Sequence, residues 1–379
     1  MKYKYVVVGA GLSGLVVAER IANVLNEKVL IIEKNNFIGG ACYDSYNEHG
    51  LLVGNFGPHT FHTSDKEVFD YILQFTEWND YVHKAMSYVD GRYLPFPINI
   101  DTINQLYNVN LDETNIEKFI KEHQDEIVNK FFVNFTNKQW ECPRSELDQE
   151  VLARVPFRHN FDPRYFTDRY QGNPKGGFSK MFQRMVSNRN IKILLNTDYK
   201  EIINDIDYET LIYTGPIDYF FDYKLGKLIY RSVKFVFETY DCESLKPVAS
   251  TRYPNDYDYT RITEFKKMTG QISPKTTILK EYPCFEGEPY YPYPTMKYKS
   301  LGQEYRDLTK TVENVYFLGR LGEYMYYDMD EVTIAENEYF VMGDNRANSK
   351  DSRYEEVGNI ERNELEGKVI FKFNPFTKL

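Results

Sequence analysis

The first apolar run of the chain, Val6-Val7-Val8, leads straight into glycines at positions 9, 11 and 14. An apolar, helix-compatible stretch follows from Leu15 to Leu25. A second β-branched run, Val29 to Ile32, then ends at Glu33. The pattern predicts strand, tight turn, helix and strand in immediate succession. A further helix is predicted over 64–82, capped by Ser64 or Asp65 with Glu67 near its start. Tyr88 to Leu94 reads as a hairpin turning on Asp90-Gly91, and Pro95-Phe96-Pro97-Ile98-Asn99 ends it. Between 101 and 139, polar and apolar positions mix at helical spacing (Phe119, Ile120, Ile127, Phe131, Phe132), which predicts a small helical insertion. Residues 225–236 and 244–282 carry short alternating strands with Pro and Asp breaks, which fit an antiparallel sheet. Residues 312–319 read as a late strand ending at a glycine.

The head of the chain carries chemistry as well as structure. Gly9, Gly11 and Gly14 have the G-x-G-x-x-G spacing, placed between strand and helix as a Rossmann dinucleotide fingerprint requires. Gly9 allows the tight turn, Gly11 lets a pyrophosphate approach the backbone, and Gly14 lets the helix pack on the sheet. The helix N-terminus offers free N–H groups to phosphate. Glu33, at the end of the second strand, is placed to accept from ribose hydroxyls. A second glycine pair, Gly39-Gly40, follows. An acid-ended strand followed by this pair resembles the FAD-binding fold of the glutathione-reductase and amine-oxidase type. The expected cofactor is therefore FAD in place of NAD.

At 379 residues the chain has room for two or three domains with their own cores. A net charge of -10 argues against nucleic acid or an anionic membrane as main partner, while leaving room for a local basic pocket. The 33 Tyr and 26 Phe supply stacking surfaces, or reflect an AT-rich genome. Cys42, Cys142, Cys242 and Cys284 are scattered without metal or redox spacing and read as reduced thiols. The first apolar run is the Rossmann strand and not a signal peptide, and no window is long enough to span a bilayer. The expected compartment is the cytoplasm. His59 and His62 sit beside Gly57 and Pro58, with no further His/Cys pair for zinc. A loop pressed against a flavin ring is the better reading, and no metal is expected.

Later blocks carry a more specific signal. They are Phe131-Phe132-Val133-Asn134-Phe135 with Trp140, Arg154-Val155-Pro156-Phe157-Arg158, and Asn160 to Gly172. They continue as Gly215 to Asp218, Tyr259 to Glu264, Glu288 to Pro292 and Phe317 to Asp330. In register and in order, over roughly residues 1–335, they resemble bacterial UDP-galactopyranose mutase. The resemblance implies that Arg154 and Arg261 clamp a diphosphate, Arg154 from a mobile loop. It places Phe131, Phe132, Phe135 and Trp140 as an aromatic shelf for the base, with Phe135 standing where the family usually has Tyr. It places Tyr165, Tyr291 and Tyr326 at the substrate phosphates, Arg231 in the substrate site, and Asp328 near the sugar. His59 joins Arg154, Arg261 and Asp328 as a catalytic candidate. The cofactor set comprises Gly9, Gly11, Ser13, Gly14, Glu33 and Lys34, then Gly40, Ala41, Phe56, Gly57 and His59. It closes with Gly319, Arg320, Asp328 and Met329.

The implied fold is α/β: an FAD-binding Rossmann domain (1–79, 161–218, 312–335), a helical insertion (101–160) and an antiparallel sheet domain (80–100, 219–311). The implied function is an isomerase that interconverts UDP-galactopyranose and UDP-galactofuranose. The resemblance further implies reduced FAD, a covalent flavin N5–sugar intermediate, no net redox change, and a homodimer. A flavin amine oxidase or desaturase, sharing only residues 1–60, predicts instead an apolar pocket without paired arginines. A third reading is an impaired chimera that only binds FAD or UDP. It rests on the end of the chain, where Glu331 is inserted and the family pattern stops after Ala335. Residues 336–379, with Gly343-Asp344-Asn345-Arg346 and Gly367 to Phe376, resemble the C-terminal end of type I signal peptidases. The serine and lysine boxes of those enzymes are not found, so a foreign β-rich tail without peptidase activity is expected.

Overall fold

The computed structural model describes residues 2–147 and 157–331, together with two short strands at 338–339 and 360–361. Five parallel strands form the Rossmann layer. They are β1 (Lys2–Val8), β2 (Val29–Ile32), β9 (Ile191–Leu194), β10 (Asp207–Tyr213) and β16 (Val315–Phe317), in the order β16-β10-β1-β2-β9. Tyr5 pairs with Val29 on one side and Thr210 on the other. Val7, Ile31 and Ile212 pack on one face against α1 (Leu12–Asn23) and α6 (Phe178–Met185). Val6, Val8, Leu30 and Ile32 pack on the other face with Tyr213, Tyr305 and Phe317. Strands buried on both faces read as unbroken apolar runs, which is why Val6–Val8 and Val29–Ile32 show no alternation.

The second layer has seven strands in the order β15-β11-β14-β13-β12-β6-β7. Their ranges are β6 (Ala85–Val89), β7 (Arg92–Phe96), β11 (Tyr230–Tyr240), β12 (Ser250–Arg252), β13 (Arg261–Glu264), β14 (Thr276–Cys284) and β15 (Tyr291–Pro292). All neighbours are antiparallel except β12 beside β6, which run parallel. The expected antiparallel sheet is present, with that one parallel pair at the point where a long crossover and not a hairpin joins the strands. The β6–β7 hairpin turns on Asp90 (φ 51°) and Gly91 (φ 76°), the two left-handed positions an Asp-Gly turn supplies.

The helical insertion is α3 (Ile100–Tyr107), α4 (Ile116–Val128), a π turn (Asn129–Val133) and α5 (Asn134–Trp140). Ile103, Ile116, Ile120, Ile127 and Phe131 bury its inner face on Val89, Leu94, Phe96 and Ile98. The first helix after the cofactor loops, α2 (Lys66–Leu73), starts at Asp65, whose carboxylate accepts from Glu67 N and Val68 N. It stops well short of residue 82. Trp78 bridges to Pro174, and the Asn79 side chain accepts from Tyr81 N and Asn173 N and donates to the Met268 carbonyl. These side-chain bonds offer the backbone a better arrangement than further helical turns.

Short strands complete the layers. β3 (Asp44–Tyr46) pairs with β4 (Leu52–Gly54), and β5 (Phe61–Thr63) with β8 (Tyr170–Gly172). In the tail, β17 (Glu338–Tyr339) pairs antiparallel with β18 (Ile360–Glu361). The rest of the expected β-rich tail lies outside the described residues. Among the described residues no helix is long and apolar enough to cross a membrane.

Candidate active site

The C-terminal ends of the Rossmann strands open on one cavity of about 400 Å³. Ligands of open parallel sheets bind at this edge, where the strand order reverses. The loop after β1 contributes Gly9, Gly11 and Ser13, and the end of β2 contributes Glu33 and Lys34. A Cβ on Gly14 would collide with the Gly9 carbonyl oxygen, so α1 packs onto the turn as closely as backbone allows. A Cβ on Gly11 would meet nothing within 4 Å, because that position faces the open cavity. Gly11 caps α1 without a side-chain bond, which leaves the first N–H groups of the helix to a ligand. Glu33 is buried. Its Oε2 accepts from Ala10 N at 2.7 Å and its Oε1 from Asn35 N at 2.8 Å. Each oxygen retains acceptor capacity for a ribose hydroxyl. Lys34 pairs with Glu288 at 2.9 Å on the cavity rim.

Gly40 and Ala41 join the wall through a close bridge between Gly39 and Gly11. Phe56, His59, Asp328 and Met329 line the same cavity, with Met329 Sδ 3.8 Å from Cys42 Sγ. Gly319 fits against Ser13, and Arg320 is held by the carbonyls of Tyr290 (3.2 Å) and Tyr327 (2.8 Å). Gly57 does not line this cavity. It accepts a hydrogen bond from His59 Nδ1–H at 3.3 Å and so acts on the imidazole only indirectly. His62 is not in the loop: it sits in β5, bonded to Asp168 at 2.9 Å and stacked on Phe166. Open space at Gly11, an uncapped helix N-terminus, a buried acceptor in Glu33 and a cation in Arg320 fit a dinucleotide with a flavin end.

A chain of contacts leads from this cavity to the helical insertion. The Arg320 guanidinium lies 4.5 Å from the ring centroid of Tyr326 and 5.5 Å from that of Tyr291. Tyr326 stacks on Tyr291, whose ring meets Trp140 edge-on at the end of α5. Arg261 forks Glu281 through Nε and Nη2, both at 2.7 Å, with its side chain 32% exposed. Tyr165 packs among His83, Phe96 and Phe166.

A model of the UDP-galactopyranose mutase family matches residues 130–326, just over half of the chain. The chain belongs to this family. A model of an NAD(P)-binding Rossmann-like domain matches residues 7–75, and one of signal peptidase S26 matches 295–374. The first part of that last stretch, Met296–Gly322, is built into the Rossmann layer through a helix, β16 and the turn holding Gly319. A probable UDP-galactopyranose mutase from Klebsiella pneumoniae is 35% identical over 354 residues, covering 87% of this chain and 91% of that protein. A dTDP-fucopyranose mutase from Escherichia coli is 32% identical, covering 86% and 94%. A UDP-galactopyranose mutase from Mycoplasma pneumoniae is 32% identical, covering 87% and 93%. A crystal structure of reduced UDP-galactopyranose mutase superposes with a TM-score of 0.68 at 16% identity, covering 88% and 92%. This family member is an isomerase, and its cofactor is FAD.

Several residues expected at the mutase site are placed elsewhere or differently. Phe131 is fully buried in the core of the insertion and offers no ring to a ligand. The π turn rotates the helix face there, so Phe132 and Phe135 turn toward β12 while Phe131 points inward. Arg231 is also fully buried, beneath Phe285. It holds the end of α5 through the Gln139 carbonyl (2.6 Å) and pairs with Glu141 (2.6 Å). Its place is that of a strut under the shelf rather than a contact to substrate. Arg154 lies outside the described residues. The loop after β9, with Thr197 and Asp198, and the segment after β10, with Thr214 and a short helical turn holding Tyr219, also line the cavity, although no motif in the sequence marks them. The signal available was their position directly after apolar runs that form parallel strands.

Burial pulls the His59 imidazole down to about 4, helped by the charges of Arg320 and Arg261. Burial likewise pulls His83 down to about 3, with Arg261 adding to it. Both rings are neutral in the folded protein at neutral pH. The unfolded chain therefore binds more protons below pH 6.5, and stability falls as pH drops from 6.5 toward 4. A double variant, His59→Gln with His83→Gln, is expected to show a shallower loss of Tm across that window. A Tm profile with the wild-type slope would contradict neutral histidines at these two positions.

Proposed function

We propose that this family member interconverts UDP-galactopyranose and UDP-galactofuranose. The observation that carries the reading is Arg261, a guanidinium held by Glu281 and left about one-third exposed within electrostatic reach of His59 on the cofactor cavity. A nucleoside diphosphate needs such directional cations, which an oxidase pocket for apolar amines does not.

Bound and reduced, FAD supplies the nucleophile for the anomeric carbon, with no net redox change. The chain supplies the remainder. Arg261, with Arg154, neutralises the diphosphate and stabilises the charge that builds as UDP departs. Tyr165, Tyr291 and Tyr326 orient the phosphates, while Phe132, Phe135 and Trp140 hold the base by stacking. Neutral His59 donates through Nδ1 to Gly57 and keeps Nε2 as an acceptor at the cavity wall. Asp328, on the same wall, is placed toward the sugar hydroxyls. Arg320 keeps a positive charge beside the reduced cofactor.

The proposal includes a homodimer in the cytoplasm and no peptide hydrolysis by the tail. Four free cysteines fit a reducing compartment. Chromatography of UDP-galactofuranose incubated with the FAD-loaded protein, reduced beforehand and kept anaerobic, tests the activity, alongside an oxygen electrode on the oxidised protein. Conversion to UDP-galactopyranose by the reduced protein is expected, with no oxygen uptake when the oxidised protein meets the sugar nucleotide. Net oxidation of the sugar nucleotide with oxygen uptake by the oxidised protein would replace the mutase reading with an oxidase.

A further inference from the structure

Arg252 ends β12 directly opposite Arg261, the first residue of β13. It is 9% exposed. Its guanidinium lies 3.9 Å from the ring centroid of Phe96 and 3.9 Å from that of Phe135, with Phe132 at 5.8 Å. Nη1 is buried without a hydrogen-bond partner, and among the described residues no carboxylate pairs with the group. Burial pulls Arg252 down to about 10; Tyr165 opposes the shift and Arg261 adds to it. The side chain is therefore charged at neutral pH.

Two like charges opposite each other across a strand pair repel. Glu281 carries one negative charge against two positive ones, and both its oxygens face Arg261. A buried cation without a counter-ion costs several kcal/mol. Stacking on two rings returns part of that and leaves the Nη1 donor unanswered. A site with a surplus positive charge, an unanswered donor and aromatic walls is complementary to an anion that carries a flat base.

We propose that Arg252 is a further ligand of the substrate diphosphate, set between the aromatic shelf and Arg261. The proposal rests on the nucleotide-sugar reading above. It gives Phe135 a second task, since its ring orders the guanidinium as well as serving the base. No motif in the chain singles this arginine out.

The test is calorimetric binding of UDP and of uridine to the full-length, FAD-loaded protein as wild type, Arg252→Met and Arg252→Lys. Methionine keeps the length and apolar packing of the side chain but removes its charge. Arg252→Met is expected to weaken UDP by about 10–100-fold and leave uridine unchanged, as loss of a charge-assisted phosphate contact does. Its ligand-free Tm is expected to equal or exceed that of wild type, because an unpaired buried charge has gone. Arg252→Lys, which keeps the charge, is expected to fall between the two in UDP affinity. Unchanged UDP affinity in both variants overturns the proposal and leaves Arg252 a structural cation. Equal losses of UDP and uridine overturn it in favour of a contact to the base. A wild-type protein that fails to bind UDP overturns the nucleotide-sugar reading and this inference together.

Discussion

Replacing Arg261 by methionine is expected to lower kcat/KM by about 10²–10³, the cost of losing a charge-assisted phosphate contact that strengthens as UDP leaves. The same change strips Glu281 of its partner. That carboxylate is 5% exposed, so stability is also expected to fall. Removing one partner of a fully buried pair costs about 3–5 kcal/mol. The 32% exposure of Arg261 discounts this to roughly 2 kcal/mol, since solvent screens the pair. The two effects separate in a double variant, Arg261→Met with Glu281→Met. It is expected to recover the Tm and none of the turnover. Recovery of turnover with stability would make Arg261 a structural residue and remove it from the diphosphate clamp.

The second large effect concerns the cofactor cradle. Gly14→Val is expected to yield protein that unfolds at lower temperature and carries no flavin colour. A side chain at Gly14 meets the Gly9 carbonyl oxygen, with Val7 Cγ1 at 3.2 Å, so helix and strand must part. Overpacking of this kind costs about 1–3 kcal/mol or more, and the turn that faces the pyrophosphate moves with it. Gly11→Ala makes the opposite case. Its Cβ enters open cavity, so the ligand-free Tm is expected to hold while FAD affinity falls by about tenfold or more, roughly 1.4 kcal/mol of lost approach. Stoichiometric flavin in purified Gly14→Val would contradict the packing argument. Full FAD affinity in Gly11→Ala would contradict the placement of the pyrophosphate at that residue.

The parts of this fold that the sequence exposes are those governed by local rules. Val6 to Glu33 is legible because period, glycine spacing and a terminal acid all point to one unit. The β6–β7 hairpin is legible because Asp90-Gly91 suits two successive left-handed residues. Long-range pairing is not legible in this way. Nothing in Ser250–Arg252 announces a parallel partner in β6, since the two strands lie about 160 residues apart in the chain and no turn joins them. The helix that the pattern predicts over 64–82 ends at Leu73 because Asn79 and Trp78 find partners in residues 171–174 and at Met268.

The site divides along the same line. Gly9, Glu33 and Gly319 sit at strand ends, where a parallel sheet must place its ligand. Phe131 and Phe132 are adjacent and chemically alike, and only the π turn decides which ring is core. Arg231 and Arg252 both lie in alternating strands, where an arginine reads as a solvent-facing position. Both are buried and both leave Nη1 without a partner, but Arg231 lies beneath Phe285 with two carbonyls and Glu141 bonded to its other nitrogens, whereas Arg252 lies between two rings with no ion-pair partner among the described residues. Burial and partners, not residue type, separate the strut from the ligand.

The most direct measurement is the rate of UDP-galactofuranose conversion by the FAD-loaded full-length protein, with and without dithionite under anaerobic conditions. The account predicts turnover that depends on reduction, no consumption of reductant beyond that needed to reduce the flavin, and an equilibrium mixture of the two sugar nucleotides. Bound flavin that reduces normally but leaves both sugar nucleotides unchanged would contradict it.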